Sequence, residues 1–320
     1  MTDADWRGGT TRDDVLNMWH FARTVLDDRR SRLFGVAVMR RIWDLLTDPR
    51  FRDLVDAVEG WATGVTGEAE YTAARWRLPQ ISNWRPPAPS PLLWEPQQPR
   101  AGYLGGPAPD IPPPGVVNFR ELPAWVRNTH HATVNLAGFD LRAVLLYAAD
   151  ARADHTAEQS PALKPFDDRI VAINREVDAL QRGYDDAVWR GMSGAEQKGA
   201  ALARRWQQAE GEARGWRGEQ QAVREQIADA TRTVEFAAQA DLLRCVAGNP
   251  FAPITVSPHW RNETVLTLAR GIVADRAFDR LPILADALEE AGCDHPDVLT
   301  HCRHPGPHAR GCRVIAGLIS

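Results

Sequence analysis

The chain has 320 residues, 44% apolar and 25% charged, with a formal net charge of −4. That composition is ordinary for a globular protein, and the length suits two or three packed units of roughly 150 residues or fewer. The small negative charge points to no polyanion partner, since nucleic-acid binding would need a local basic face.

The opening stretch MTDADWRGG carries early acids and no apolar run, unlike a secretory signal. No apolar run approaches the ~20 residues that span a bilayer. A cytoplasmic protein is expected, in which four cysteines are thiols or metal ligands rather than disulfides.

Residues 1–78 read as a helical unit. Thr11 can cap a helix carrying Val15, Leu16 and Trp19. RLFGVAVMRRIWDLL repeats apolar residues near a 3.6 period and gives the next helix. On it, Arg40 and Arg41 read as a solvated edge. Asp48-Pro49 has the form of an N-cap followed by a first-turn proline, and Gly64 can end that helix in the left-handed region.

Residues 79–117 change character. Twelve of the 23 prolines lie between 79 and 115, which excludes helix and central strand. The apolar Trp84, Leu92, Leu93, Trp94 and Tyr103 favour an extended strap over the helical body; a flexible linker or a peptide ligand are the alternatives. Residues 118–165 read as a helical pair, with Pro123 near its start. The adjacent His130 and His131 diverge on a helix, so polar surface is the expectation for both.

The clearest periodicity lies in 166–247. Ile170, Ile173, Val177, Leu180, Tyr184 and Val188 recur at spacings of three and four. After Gly191-Met192, Ser193 and Glu196 form a capping box. Leu202, Trp206, Ala209, Ala213, Trp216, Gln220, Val223, Ile227, Ala230, Val234 and Ala237 then continue a 3.5-residue repeat. A short turn between two such helices predicts a long antiparallel hairpin, with a bend near its glycines at 211–218. Its seam can pack within the chain, or dock a protein partner or a second copy.

Residues 248–320 form a C-terminal unit rich in Cys and His. Gly248-Asn249-Pro250 stops the preceding helix. Short helices follow, the last two over Pro296–Cys302 and Ala309–Ile319. No GxGxxG, P-loop, HExxH or GxSxG motif occurs. Asp275, Asp279 and Asp286 read as an exposed ladder with Arg276 and Arg280.

The chain holds 36 Arg against 2 Lys, and 12 Trp. Seven Trp have an Arg neighbour, but adjacent helical residues point ~100° apart and stack poorly, so core and rim indoles are expected rather than a nucleotide-stacking surface.

The candidate site is CDHPDVLTHCRHPGPHARGC, from Cys293 to Cys312. Cys293, Cys302, His308 and Cys312 make the ligand count of a tetrahedral structural zinc site, although C-x8-C-x9-C lacks a CxxC knuckle. His308 and Cys312 are four apart and would share a helix face. Cys245 is a further thiolate that the Gly248 turn can bring near. Two other readings stay open. Cys293 could be a reactive thiol at a helix start, paired with His295 or His301. Alternatively the cysteines are small buried hydrophobes, Cys302 beside Val298 and Leu299, with His301 and His304 capping helix ends or solvated.

Two blocks carry a resemblance. One is RLFGVAVMRRIWDLL; the other runs from AAQADLLRCVAGNPFAP through AFDRLPILADALEEAGC to HCRHPGPHARGC. Together they resemble a large family of uncharacterised bacterial proteins abundant in planctomycetes. The family usually reads Ala-Cys-Cys before Arg-Arg-Ile-Trp; here Val38 and Met39 replace the two cysteines. The resemblance implies no activity.

The sequence thus predicts an all-α protein: helical N- and C-terminal units joined through a long antiparallel hairpin, with a Pro-rich strap. The expected function is a cytoplasmic, non-enzymatic scaffold docking partners through the hairpin. The alternative is a metal-binding sensor or an enzyme with its site in Cys293–Cys312.

Overall fold

The computed structural model describes residues 1–78, 122–190 and 195–320. Among these the protein is all-α: thirteen α-helices joined by turns, with no strand. The predicted strap and the Ser193–Glu196 capping box lie outside the described residues. No described helix is long and apolar enough to cross a membrane. The chain forms two compact units. One comprises residues 1–152 and 232–320, the other residues 153–231. Residues 1–78 and 248–320, remote in sequence, therefore share one unit.

That larger unit begins with α1 (Asp3–Gly8) and α2 (Arg12–Ala22), both opened by threonine capping boxes. Thr11 Oγ1 accepts from Asp14 N–H, and Asp14 returns the bond to Thr11 N–H at 3.0 Å. In α3 (Asp28–Arg41) every residue from Leu33 to Met39 is buried, so the helix is covered on all sides. Gly35 makes this contact close: a Cβ there would lie 2.5 Å from Leu141 Cδ2 and 2.9 Å from Leu136 Cδ1. Val38 and Met39 are fully enclosed.

Full coverage changes the role of the two arginines at the end of α3. They are not a solvated edge. Arg41 holds the buried carboxylate of Glu235 through Nε at 2.6 Å and Nη2 at 2.9 Å. Arg40 donates to Glu59 at 2.6 Å, and its guanidinium lies 4.0 Å from the Trp43 ring centroid. Glu59 also receives Arg276 and Arg310, so Arg276 serves this buried carboxylate rather than an Asp ladder. A carboxylate taken out of water needs such partners, because an unpaired buried charge costs several kcal/mol, about 3–5 when one partner is lost.

Helix α4 (Pro49–Thr63) starts at the Asp48 cap and ends at Gly64, φ 73°, as its sequence predicts. Helix α5 (Glu68–Arg77) follows, and Tyr71 donates to the carbonyl of Ala137 at 2.5 Å. In α6 (Ala124–Gly138) the two histidines are not polar surface. His130 is fully buried edge-on to Phe51, and His131 stacks on Tyr147 with centroids 4.9 Å apart. α6 lies between neighbours on two sides, so diverging side chains both meet protein.

Helices α7 (Leu141–Glu158) and α9 (Ala195–Ala247) run through both units. Within the larger unit Arg232 pairs with Asp150 at 2.9 Å, and Gln239 donates to the carbonyl of Leu145.

In the smaller unit α8 (Lys164–Trp189) and α9 form the predicted antiparallel hairpin. Its partners step in opposite directions along the two helices. Asp167 meets Gln220, Asn174 meets Arg217, Glu176 meets Arg205, and Tyr184 lies over Gly199. The seam buries Ile173 against Ala209 and Ala213, with Val177 and Trp216 beside them. Gly211, Gly215 and Gly218 leave α9 unbroken.

Candidate metal centre

Four short elements close a second apolar cluster at the C-terminal end of the larger unit. They are α10 (Glu263–Asp275), α11 (Leu281–Glu290), α12 (Pro296–Arg303) and α13 (Arg313–Ile319). The last turns of α9 enter the same cluster through Cys245, which is 1% exposed. Gly248, φ 71°, ends α9 with its N–H on the carbonyl of Arg244, so the chain turns sharply just past Cys245.

α13 begins at Arg313, four residues later than the sequence predicts. Gly311, φ 91°, sits against Leu33 and interrupts the helical path. His308 and Cys312 therefore do not share a helix face. Cys312 is instead the N-cap of α13, and His308 lies in the connection from α12.

Cys245 Sγ, one ring nitrogen of His301 and Cys312 Sγ lie within 4.8 Å of one another. His301 Nε2 is 3.2 Å from Cys312 Sγ, and His308 Nδ1 is 3.6 Å from Cys245 Sγ. Zn–S near ~2.3 Å and Zn–N near ~2.0 Å put tetrahedral S and N ligands about 3.5 Å apart. Both distances fall beside that value. The His301 and His308 rings meet edge to face at 4.9 Å.

Cys312 is held well below the usual thiol range, first by the hydrogen bond from the Cys245 thiol and then, against burial, by His301 and the Ile315 N–H. Cys245 is correspondingly pushed up by the same bond and by burial. Burial alone would lower His301, yet the Cys312 thiolate raises it overall. Cys312 is thus the sulfur of the group most disposed to lose its proton, with His301 facing it. His308 is lowered, chiefly by burial, the direction that favours the neutral ring. Its Nε2–H donates to the carbonyl of His304 at 2.9 Å, leaving the Nδ1 lone pair toward Cys245. A backbone partner of this kind fixes the tautomer a metal needs.

Of the residues predicted as ligands, Cys312 belongs to the group and His308 borders it. Cys293 and Cys302 lie in the surrounding apolar cluster, and burial pushes both thiols up. Cys245, expected as a further thiolate, does join the group, brought there by the turn at Gly248. His301, open in the sequence to pairing with Cys293 or to a cap or solvated role, faces Cys312, while its neighbour Cys302 lies in the apolar cluster. Adjacent positions diverge by ~100° on a helix, and the sequence alone does not say which is inside.

Compared with known protein families, curated proteins and solved structures, the chain matches none. The likeness of its two terminal blocks to a bacterial family therefore rests on those residues alone.

Proposed function

We propose that the chain is a zinc-stabilised scaffold. Zinc is held by Cys245, His301 and Cys312, with His308 as fourth ligand, in a closed Cys2His2 centre. The observation that carries this reading is the convergence of the three ligand atoms within 4.8 Å. Two thiolates and two imidazoles are the donor set of structural zinc, and four protein ligands leave no position for substrate. The metal would tie α9, α12 and the start of α13 together. Binding requires both thiols deprotonated, so affinity falls as pH is lowered.

Metal analysis of the purified full chain tests this. One zinc per chain, lost in both Cys245→Ala and Cys312→Ala, supports it. A chain that takes up no zinc or cobalt and whose melting temperature ignores chelator sinks it.

The scaffold part rests on the hairpin. Trp189 is 92% exposed, and Tyr184, Val188 and Trp206 are also exposed. Leu180, Tyr184, Leu202 and Trp206 line a groove of about 290 Å³. Contiguous apolar surface left in water is a mark of docking sites, and aromatic residues are enriched where such sites carry their binding energy. The occupant is read as a protein segment. Replacing Trp189 and Trp206 by serine should abolish association with partner or second copy while leaving the zinc content unchanged.

A further inference from the structure

Beside the metal ligands lies a cavity of about 180 Å³, lined by Trp6, Arg7, Arg244, Ile254, Asp297 and Arg313 among others. Its three guanidiniums are not equivalent. Arg7 bonds Asp3 at 3.0 Å and approaches Asp297 at 3.7 Å. Arg244 bonds Asp241 at 2.8 Å and the carbonyls of Trp6 and Gly9. Arg313 has no carboxylate within 4 Å among the described residues; its one bond goes to the carbonyl of Ile254 at 3.1 Å. A guanidinium offers five N–H donors, so most of its capacity is unspent.

The backbone is shaped around this side chain. A Cβ on Gly248 would collide with the Arg313 guanidinium, so the glycine that ends α9 also makes room for the charge. Trp6, Ile254 and Val314 form an apolar wall, and Asn249, Asp297, Thr300 and His301 a polar one. A planar guanidinium with no carboxylate partner, beside one apolar wall, is the complement of a monoanion with a short apolar body.

We infer that this cavity binds a small organic carboxylate, its two oxygens on Arg313 and its tail against Trp6, Ile254 and Val314. The cavity is smaller than the ~300 Å³ at which drug-sized pockets begin, which limits the ligand to a few heavy atoms. Cys245 and His301, two of the proposed zinc ligands, also line the cavity, but the inference rests on Arg313 and not on the metal.

Titration calorimetry of the full chain at low salt, with and without zinc, tests the inference. The probe is 3-methylbutanoate, with inorganic phosphate and the uncharged 3-methylbutanamide as comparators. The carboxylate should bind at least tenfold tighter than the amide, and Arg313→Gln should erase that difference. Asp297→Asn removes the cavity's own carboxylate and should tighten binding severalfold, which keeps the idea testable if Arg313→Gln does not fold. No binding of the carboxylate by the wild-type chain, equal binding of the amide, preference for phosphate, or no change in Asp297→Asn would each overturn it.

Discussion

Arg41 and Glu235 stand 194 residues apart in sequence and meet through two hydrogen bonds, at 2.6 and 2.9 Å, with the carboxylate 3% exposed. This pair joins the end of α3 to α9. Bidentate geometry fixes not only that the helices touch but at which residue. Arg41→Ala would leave the carboxylate buried without its partner. The expected loss is about 3–5 kcal/mol of stability. The double replacement Arg41→Met with Glu235→Leu should recover most of that loss, and chemical denaturation of the three proteins checks both statements.

Gly35→Ala tests the packing of α3. Alanine is the better helix former by about 1 kcal/mol. Its methyl would nevertheless lie 2.5 Å from Leu141 Cδ2. Overpacking costs about 1–3 kcal/mol, so the variant should be destabilised despite its propensity. A higher melting temperature for Gly35→Ala would show that α6 and α7 yield to it.

Cys302→Ala separates packing from ligation. The thiol is fully buried, and its ionisation is opposed first by burial and then by the neighbouring sulfurs of Cys312 and Cys293. The variant should bind zinc one to one like the parent and lose about 1 kcal/mol from the missing sulfur. Loss of metal from Cys302→Ala would move the ligand set back toward the Cys293–Cys302 reading.

Thr11→Ala removes the cap of α2, at an expected cost of about 1 kcal/mol. It also changes the acid limb of stability. Asp14 is held below the ordinary carboxylate value, chiefly by the Thr11 side chain and then its backbone N–H. A carboxyl lowered by folding contributes stability above its unfolded value near 3.8, lost as pH falls through the folded value. Thr11→Ala should therefore cost more at pH 7 than below pH 3. Denaturation midpoints at the two pH values give the comparison.

The helical class and most element positions were legible because apolar spacing and caps agreed. Thr11, Asp48 and Gly64 play the parts that their types suggest. The hairpin was legible for the same reason, since its heptads run uninterrupted. What the sequence hid were interactions between distant segments. Arg41, His130 and His301 are polar residues on amphipathic helices, and solvent is the ordinary expectation for such positions. Each is instead placed against another element: Glu235, Phe51 and Cys312. Of the candidate metal group, Cys245 and Cys312 were legible as possible ligands, while the place of His301 against Cys312 depends on which face of its helix is inward.

Helix α9 carries a further consequence. In the smaller unit its enclosed side chains are alanines, Ala209, Ala213 and Ala228, whereas near its C-terminal end it encloses Phe236, Leu242, Leu243 and Val246. Amide hydrogens report the free energy of opening at each residue, and that energy follows the apolar surface released. Exchange should then slow progressively from residue 200 to residue 246 within one unbroken helix. Its distal turns would exchange through local opening, and the turn bearing Cys245 only through global unfolding.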